Sequence, residues 1–84
     1  MKPLTPPDIA SIRVFVTQLF DDNFLFETEI CNGILILKIM GKPGAIPDDF
    51  AEAIIDELRE YHYVGQRIDI PEFGQSVVVK GIEP

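Results

Sequence analysis

The chain has one cysteine, one histidine and no tryptophan among its 84 residues, and each scarcity excludes something. A lone Cys31 cannot close an intramolecular disulfide. It also departs from the even cysteine count of a secreted, stapled scaffold, which points to a reducing, cytoplasmic compartment. With Cys31 and His62 as the sole soft ligands, a zinc site within one subunit is excluded. Long apolar runs are missing as well. The longest, Ile34 to Leu37, is far below the roughly 20 residues a membrane span requires, so no membrane partner is expected. Pro3, Pro6 and Pro7 interrupt the first residues, which therefore do not read as a signal peptide. Positive charge is scarce: seven scattered Lys and Arg face 14 Asp and Glu, for a net charge of −7. Phosphate backbones attract clustered basic residues, so nucleic acid is not an expected partner on composition, and the acidity is expected to serve solubility.

What is present suits one small domain covering residues 1–84. Apolar residues make up 46% of the chain, and 6 Phe and 2 Tyr supply bulk for a core without disulfides. Residues 1–10 read as a Pro-rich, irregular or extended N-terminal arm. The β-branched and aromatic residues from Ile12 to Phe20 predict a strand, and Asp21-Asp22-Asn23 a turn with Asn23 suited to the left-handed region. From Phe24 to Cys31 the residues alternate with the period of a strand. Asn32-Gly33 then marks a type I′ hairpin turn, because both central residues of that turn need positive φ. Pairing Cys31 with Ile34 places Ile30 opposite Leu35, Thr28 opposite Leu37 and Phe26 opposite Ile39 on one nearly apolar face. The reverse face pairs Glu29 with Ile36 and Glu27 with Lys38.

That reverse face is itself half apolar. Leu25, Cys31, Ile34, Ile36 and Met40 lie on it, and Phe15 and Leu19 join them if the preceding loop has three residues. The N-terminal arm, the C-terminal strands or a second subunit must cover it. Leu25, Ile34, Ile36 and Met40 are accordingly the candidate self-association residues, and a homo-oligomer, a homodimer in the simplest case, is the expectation; a protein partner fits the same surface. Gly41-Lys42-Pro43-Gly44 breaks the strand. A helix is predicted from Pro47 to about Tyr63, with Phe50, Ile54, Leu58 and Tyr61 on its apolar face and Gly65 as its stop. Gln66 to Ile70 and Gln75 to Lys80 read as strands joined by a turn at Pro71-Glu72-Phe73-Gly74. The expected fold is α+β: an antiparallel, hairpin-rich sheet with one helix, in the order βββαββ.

Catalytic motifs are scarce too. The sequence holds no Walker loop, GxGxxG, CxxC, HExxH or GxSxG. His62 reads either as a capping residue or as a general acid/base oriented by Asp69 or Glu60. Asp21-Asp22-Asn23 and the carboxylates Asp48, Asp49, Glu52 and Asp56 read as solvated polar surface ahead of divalent-metal sites. Cys31 reads as packing, since no basic residue adjoins it. The acidic helix face also admits a third reading, an inhibitor that mimics nucleic acid. No cofactor is predicted, and the sequence leaves open whether the protein is an enzyme.

Residues 34–80 carry one resemblance. Gly41-Lys42-Pro43 is followed by a helix ending in Tyr61-His62, then Val64-Gly65, Asp69-Ile70-Pro71-Glu72-Phe73-Gly74 and Val77-Val78-Val79. This order resembles the ring nucleases, a small CRISPR-associated family of type III systems that degrades cyclic oligoadenylate messengers. The resemblance implies His62 and Asp69 as catalytic pair, Lys42 and Arg67 as phosphate contacts, and action on cyclic oligoadenylate or RNA with a divalent metal as an aid. Ile70 splits the family's Asp-Pro pair, and Glu72 stands where the family has Arg.

Overall fold

Thr5-Pro6-Pro7-Asp8 starts a helix. In the computed structural model, which describes residues 2–42 and 44–83, helix α1 spans Pro6–Phe20. Thr5 is its N-cap: the Asp8 N–H donates to Thr5 Oγ1, while the Thr5 N–H and hydroxyl both donate to Asp8 Oδ2. Two prolines at the first helical positions cost nothing there, because those N–H groups have no intrahelical acceptor. The strand expected over 12–20 is thus corrected to helix. Its β-branched residues disfavour a helix by only tenths of a kcal/mol each, roughly, whereas burying a Val or Ile gains about 1.5–3 kcal/mol. Ile12 and Val16 are buried, with Ile9, Phe15 and Phe20 packed beside them, and that spacing is helical. Phe15 and Leu19 therefore belong to α1 rather than to a strand on the reverse sheet face. In the turn that follows, Asp21 rather than Asn23 has positive φ, at 70°.

The remaining elements are β1 (Phe24–Cys31), β2 (Ile34–Gly41), α2 (Asp48–Glu60), β3 (Gly65–Ile70) and β4 (Gly74–Ile82), so the order is αββαββ. Four antiparallel strands form one sheet in the order β1-β2-β4-β3. The Asn32-Gly33 turn has φ of 52° and 77°, as a type I′ turn requires. The expected β1–β2 register holds throughout, from Cys31 opposite Ile34 to Phe24 opposite Gly41. The C-terminal hairpin joins the same sheet through β4, with Leu37 opposite Val79 and Ile39 opposite Val77.

Both helices cover one face. Leu35, Leu37 and Ile39 of β2 and Val77 and Val79 of β4 form a single cluster with Ile12 and Val16 of α1 and Ala51, Ile54 and Leu58 of α2. Pro47 is the N-cap of α2 rather than its first residue, and the helix ends near Glu60, earlier than expected. Its stop is His62, not Gly65: with φ of 68°, His62 donates to the Arg59 carbonyl and Tyr63 to the Leu58 carbonyl, a Schellman ending. Gly65 instead opens β3.

The arm expected over residues 1–10 reaches only to Thr5, because Pro6 onward belongs to α1. Pro3 makes a parallel bridge with Ile82; the Leu4 N–H donates to the Ile82 carbonyl and the Ile82 N–H to the Lys2 carbonyl. β3 pairs with β4 only up to Val79, so the arm takes the edge position that β3 leaves empty beyond it. Leu4 is fully buried, and the Tyr63 hydroxyl donates to the Pro3 carbonyl at 3.0 Å. Met1 of the arm and Pro43 of the expected strand break lie outside the described residues.

Two outcomes follow from this packing. A Cβ on Gly81 would sit 2.8 Å from Leu4 N and 2.9 Å from Lys2 O, so Gly81→Val should unseat the arm and cost about 1–3 kcal/mol in urea unfolding. Thr5→Ala should cost about 1 kcal/mol at pH 7. The Thr5 hydroxyl holds the Asp8 carboxyl below its ordinary 3.8, so the cap's contribution is present above that value and fades as pH falls through the lowered one. The gap between wild type and Thr5→Ala, followed by pH-dependent unfolding, should therefore narrow below about pH 4.

Candidate functional site

Alternation dictates what the uncovered face of the sheet carries. Side chains that do not point at the helices are Leu25, Glu27, Glu29 and Cys31 of β1 and Ile34, Ile36, Lys38 and Met40 of β2. β4 adds Ser76, Val78, Lys80 and Ile82, and β3 adds Gln66, Ile68 and Ile70. Met40 and Val78 are each 3% exposed yet stand outside the core cluster. Leu25, Ile34 and Ile36 are half-buried, while Ile68 and Ile82 are exposed.

The face therefore has two apolar ends and a charged middle. One end runs Leu25, Met40, Ser76, Ile68 across the four strands; the other runs Cys31, Ile34, Ile82. Between them lie Glu27 and Glu29 on β1, Lys38 on β2 and Lys80 on β4. Glu27 is directly opposite Lys38, but the ion pair at 2.6 Å goes to Glu29, the diagonal neighbour. That hydrogen bond holds the Lys38 ammonium above its ordinary range. The acids thus sit along one edge of the face and the lysines along its centre.

The four candidate self-association residues share this face, with the C-terminal hairpin extending it. The sequence reading missed Val78, Ile68, Ile82 and Lys80, although Gln66, Ile68 and Ile70 alternate legibly. No local feature says which sheet the hairpin joins; that pairing is decided between β2 and β4.

The other candidates are dispersed. His62 lies at the C-terminal end of α2, before β3 begins, whereas Asp69 lies at the far end of β3 opposite Gln75. With about 3.3 Å per strand residue, the length of β3 separates them within one copy. Lys42 follows β2 at the same end of the sheet as Asp69. Arg67, on the helix side of β3, faces Asp48 at 3.5 Å and Glu52 at 3.7 Å, so α2 carboxylates already engage it. Among the described residues no group of three or more His, Cys, Asp or Glu is placed to hold a metal ion, and no helix is long and apolar enough to cross a membrane.

Compared with protein-family models, with curated proteins and with solved structures, the chain matches none. The class that the architecture defines is a two-layer α+β domain with one sheet face that no helix covers among the described residues.

The geometry at His62 is that of a helix stop in a position where glycine is the commonest residue. His62→Gly should therefore stabilise the fold by about 0.5–1 kcal/mol in urea or thermal unfolding, since it relieves a positive φ that costs a residue with a Cβ. A loss of stability would instead mean that the imidazole makes a contact the fold needs.

Proposed function

We propose that this protein is a homo-oligomeric assembly module that docks through the uncovered face of its sheet onto a second copy of itself. The observation that carries the reading is an antiparallel sheet packed by helices on one side and bearing the half-buried Leu25, Ile34 and Ile36 and the exposed Ile68 and Ile82 on the other. A monomer seldom leaves so broad an apolar surface without a partner.

Two further features favour a second copy as the occupant. The first is charge: a two-fold axis along the strands lays β1 of one copy over β3 of the other, which keeps the two acidic β1 flanks apart, and each contact is made twice. The second is size. The molecule measures 31 × 25 × 17 Å, and its broad side matches the roughly 800 Å² per partner of a standard interface. Face-to-face packing of two sheets at about 10 Å then closes a second layer that is apolar at both ends and charged between them.

Sedimentation from micromolar to millimolar protein should show a concentration-dependent dimer. Ile36→Asp should weaken it by at least about tenfold, or 1.4 kcal/mol, because it replaces an apolar contact at the centre of the interface with a carboxylate that must be desolvated there. Its helical circular dichroism should remain that of the wild type, since Ile36 makes no part of the core cluster. A wild-type chain that stays monomeric over the whole range would defeat the reading.

A further inference from the structure

The opposite side of the molecule holds a site of different character. Between α1 and the end of α2 runs a cleft of about 240 Å³, floored by Phe15, Leu58 and Tyr63 and rimmed by Asp8, Glu57 and Tyr61. Lys2 of the arm already seats its ammonium at the edge of this cleft. Its Nζ lies 4.5 Å from the centroid of the Tyr63 ring and donates to the Tyr61 carbonyl at 3.1 Å.

Lys2 apart, the electrostatic features of the cleft favour a cation. The face of an aromatic ring attracts a cation, and the carbonyl end of a helix carries partial negative charge. Both are present where Lys2 sits. Asp8 takes its two Thr5 bonds at Oδ2, and the Tyr63 hydroxyl stands beside the same carboxyl. The Thr5 hydroxyl keeps that carboxyl below its ordinary range, so it is ionised at neutral pH. Burial and the neighbouring Asp8 push the Tyr63 hydroxyl well above its usual range, so it stays a neutral donor and adds no charge of its own. Glu57 stands on the same rim, and the net charge of −7 adds a long-range field that draws cations in.

We propose that this cleft binds a small aliphatic diamine or polyamine, one ammonium taking the seat that Lys2 holds and the methylene chain lying along the apolar floor. The second ammonium then faces the carboxylates of Asp8 and Glu57. A diamine fits better than a monoamine because its second ammonium adds a charge beside the two rim carboxylates. Lys2 acts as a tethered competitor. An incoming amine binds only the fraction of molecules in which that seat is open.

The test is a titration of the full chain with 1,4-diaminobutane and with n-butylamine, followed by NMR at the Tyr61 and Tyr63 ring signals. Sodium chloride at matched ionic strength is the control. Saturable shifts are expected with the diamine and weaker ones with the monoamine. Lys2→Gln should tighten diamine binding by about threefold or more by vacating the seat. Glu57→Gln, a change at the cleft rim, should weaken it by about two- to fivefold. Shifts that sodium chloride reproduces would overturn the proposal, as would a Lys2→Gln protein that binds no better than wild type while melting normally. Neither readout depends on the sheet face, so Ile36→Asp should bind the diamine as wild type does.

Discussion

The whole structure depends on β2 being paired on both sides. Its odd-numbered residues Leu35, Leu37 and Ile39 face the helices, and its even-numbered ones face away. The tight turn at Asn32-Gly33 fixes which residue of β1 meets which residue of β2, and β4 inherits the frame from the other edge. A slip of one residue would exchange the two faces, driving Ile36 and Lys38 under the helices and stripping the core of Leu37. The charged middle of the open face reinforces the frame, because Lys38 meets Glu29 only when the alternation is right.

A domain this small buries too little surface to leave its ends loose. The first residues and the last strand are therefore tied together. Leu4 fills the core beneath a glycine at the end of β4, Pro3 accepts from Tyr63, and the Schellman ending of α2 places Tyr63 where it can donate. This knot joins three segments that are distant in sequence. It also builds the cleft between the helices, since the same arm delivers Lys2 to the end of α2. Packing that stabilises one layer thus creates the molecule's concave surface, while the unpacked side of the sheet remains its broad one.

Much of this was legible in local pattern. The β1–β2 hairpin, its register, the second helix and the closing hairpin each announce themselves through turn chemistry or periodicity. The first helix was misread although its start signal was present: Thr5 and Asp8 have the spacing of a capping box, and Ile9, Ile12 and Val16 the spacing of a helical face. β-branched residues pulled the reading toward a strand, and weak propensity lost to burial. The dispersed positions of His62 and Asp69 were hidden for a different reason, since closeness along the chain says little once a strand runs straight between two residues.

Composition and short-range pattern alone settled that this chain is small, acidic and built on a hairpin whose two arms present unlike faces. Those properties depend on residue identity and on dihedral preferences within a few positions. Only the assembled chain decided that the C-terminal hairpin extends the same sheet, that both helices choose one side, and that Lys2 reaches the end of α2. Each of these is a contact between residues far apart in sequence. Such contacts are selected by how much apolar surface the whole molecule buries, a quantity that no single segment contains.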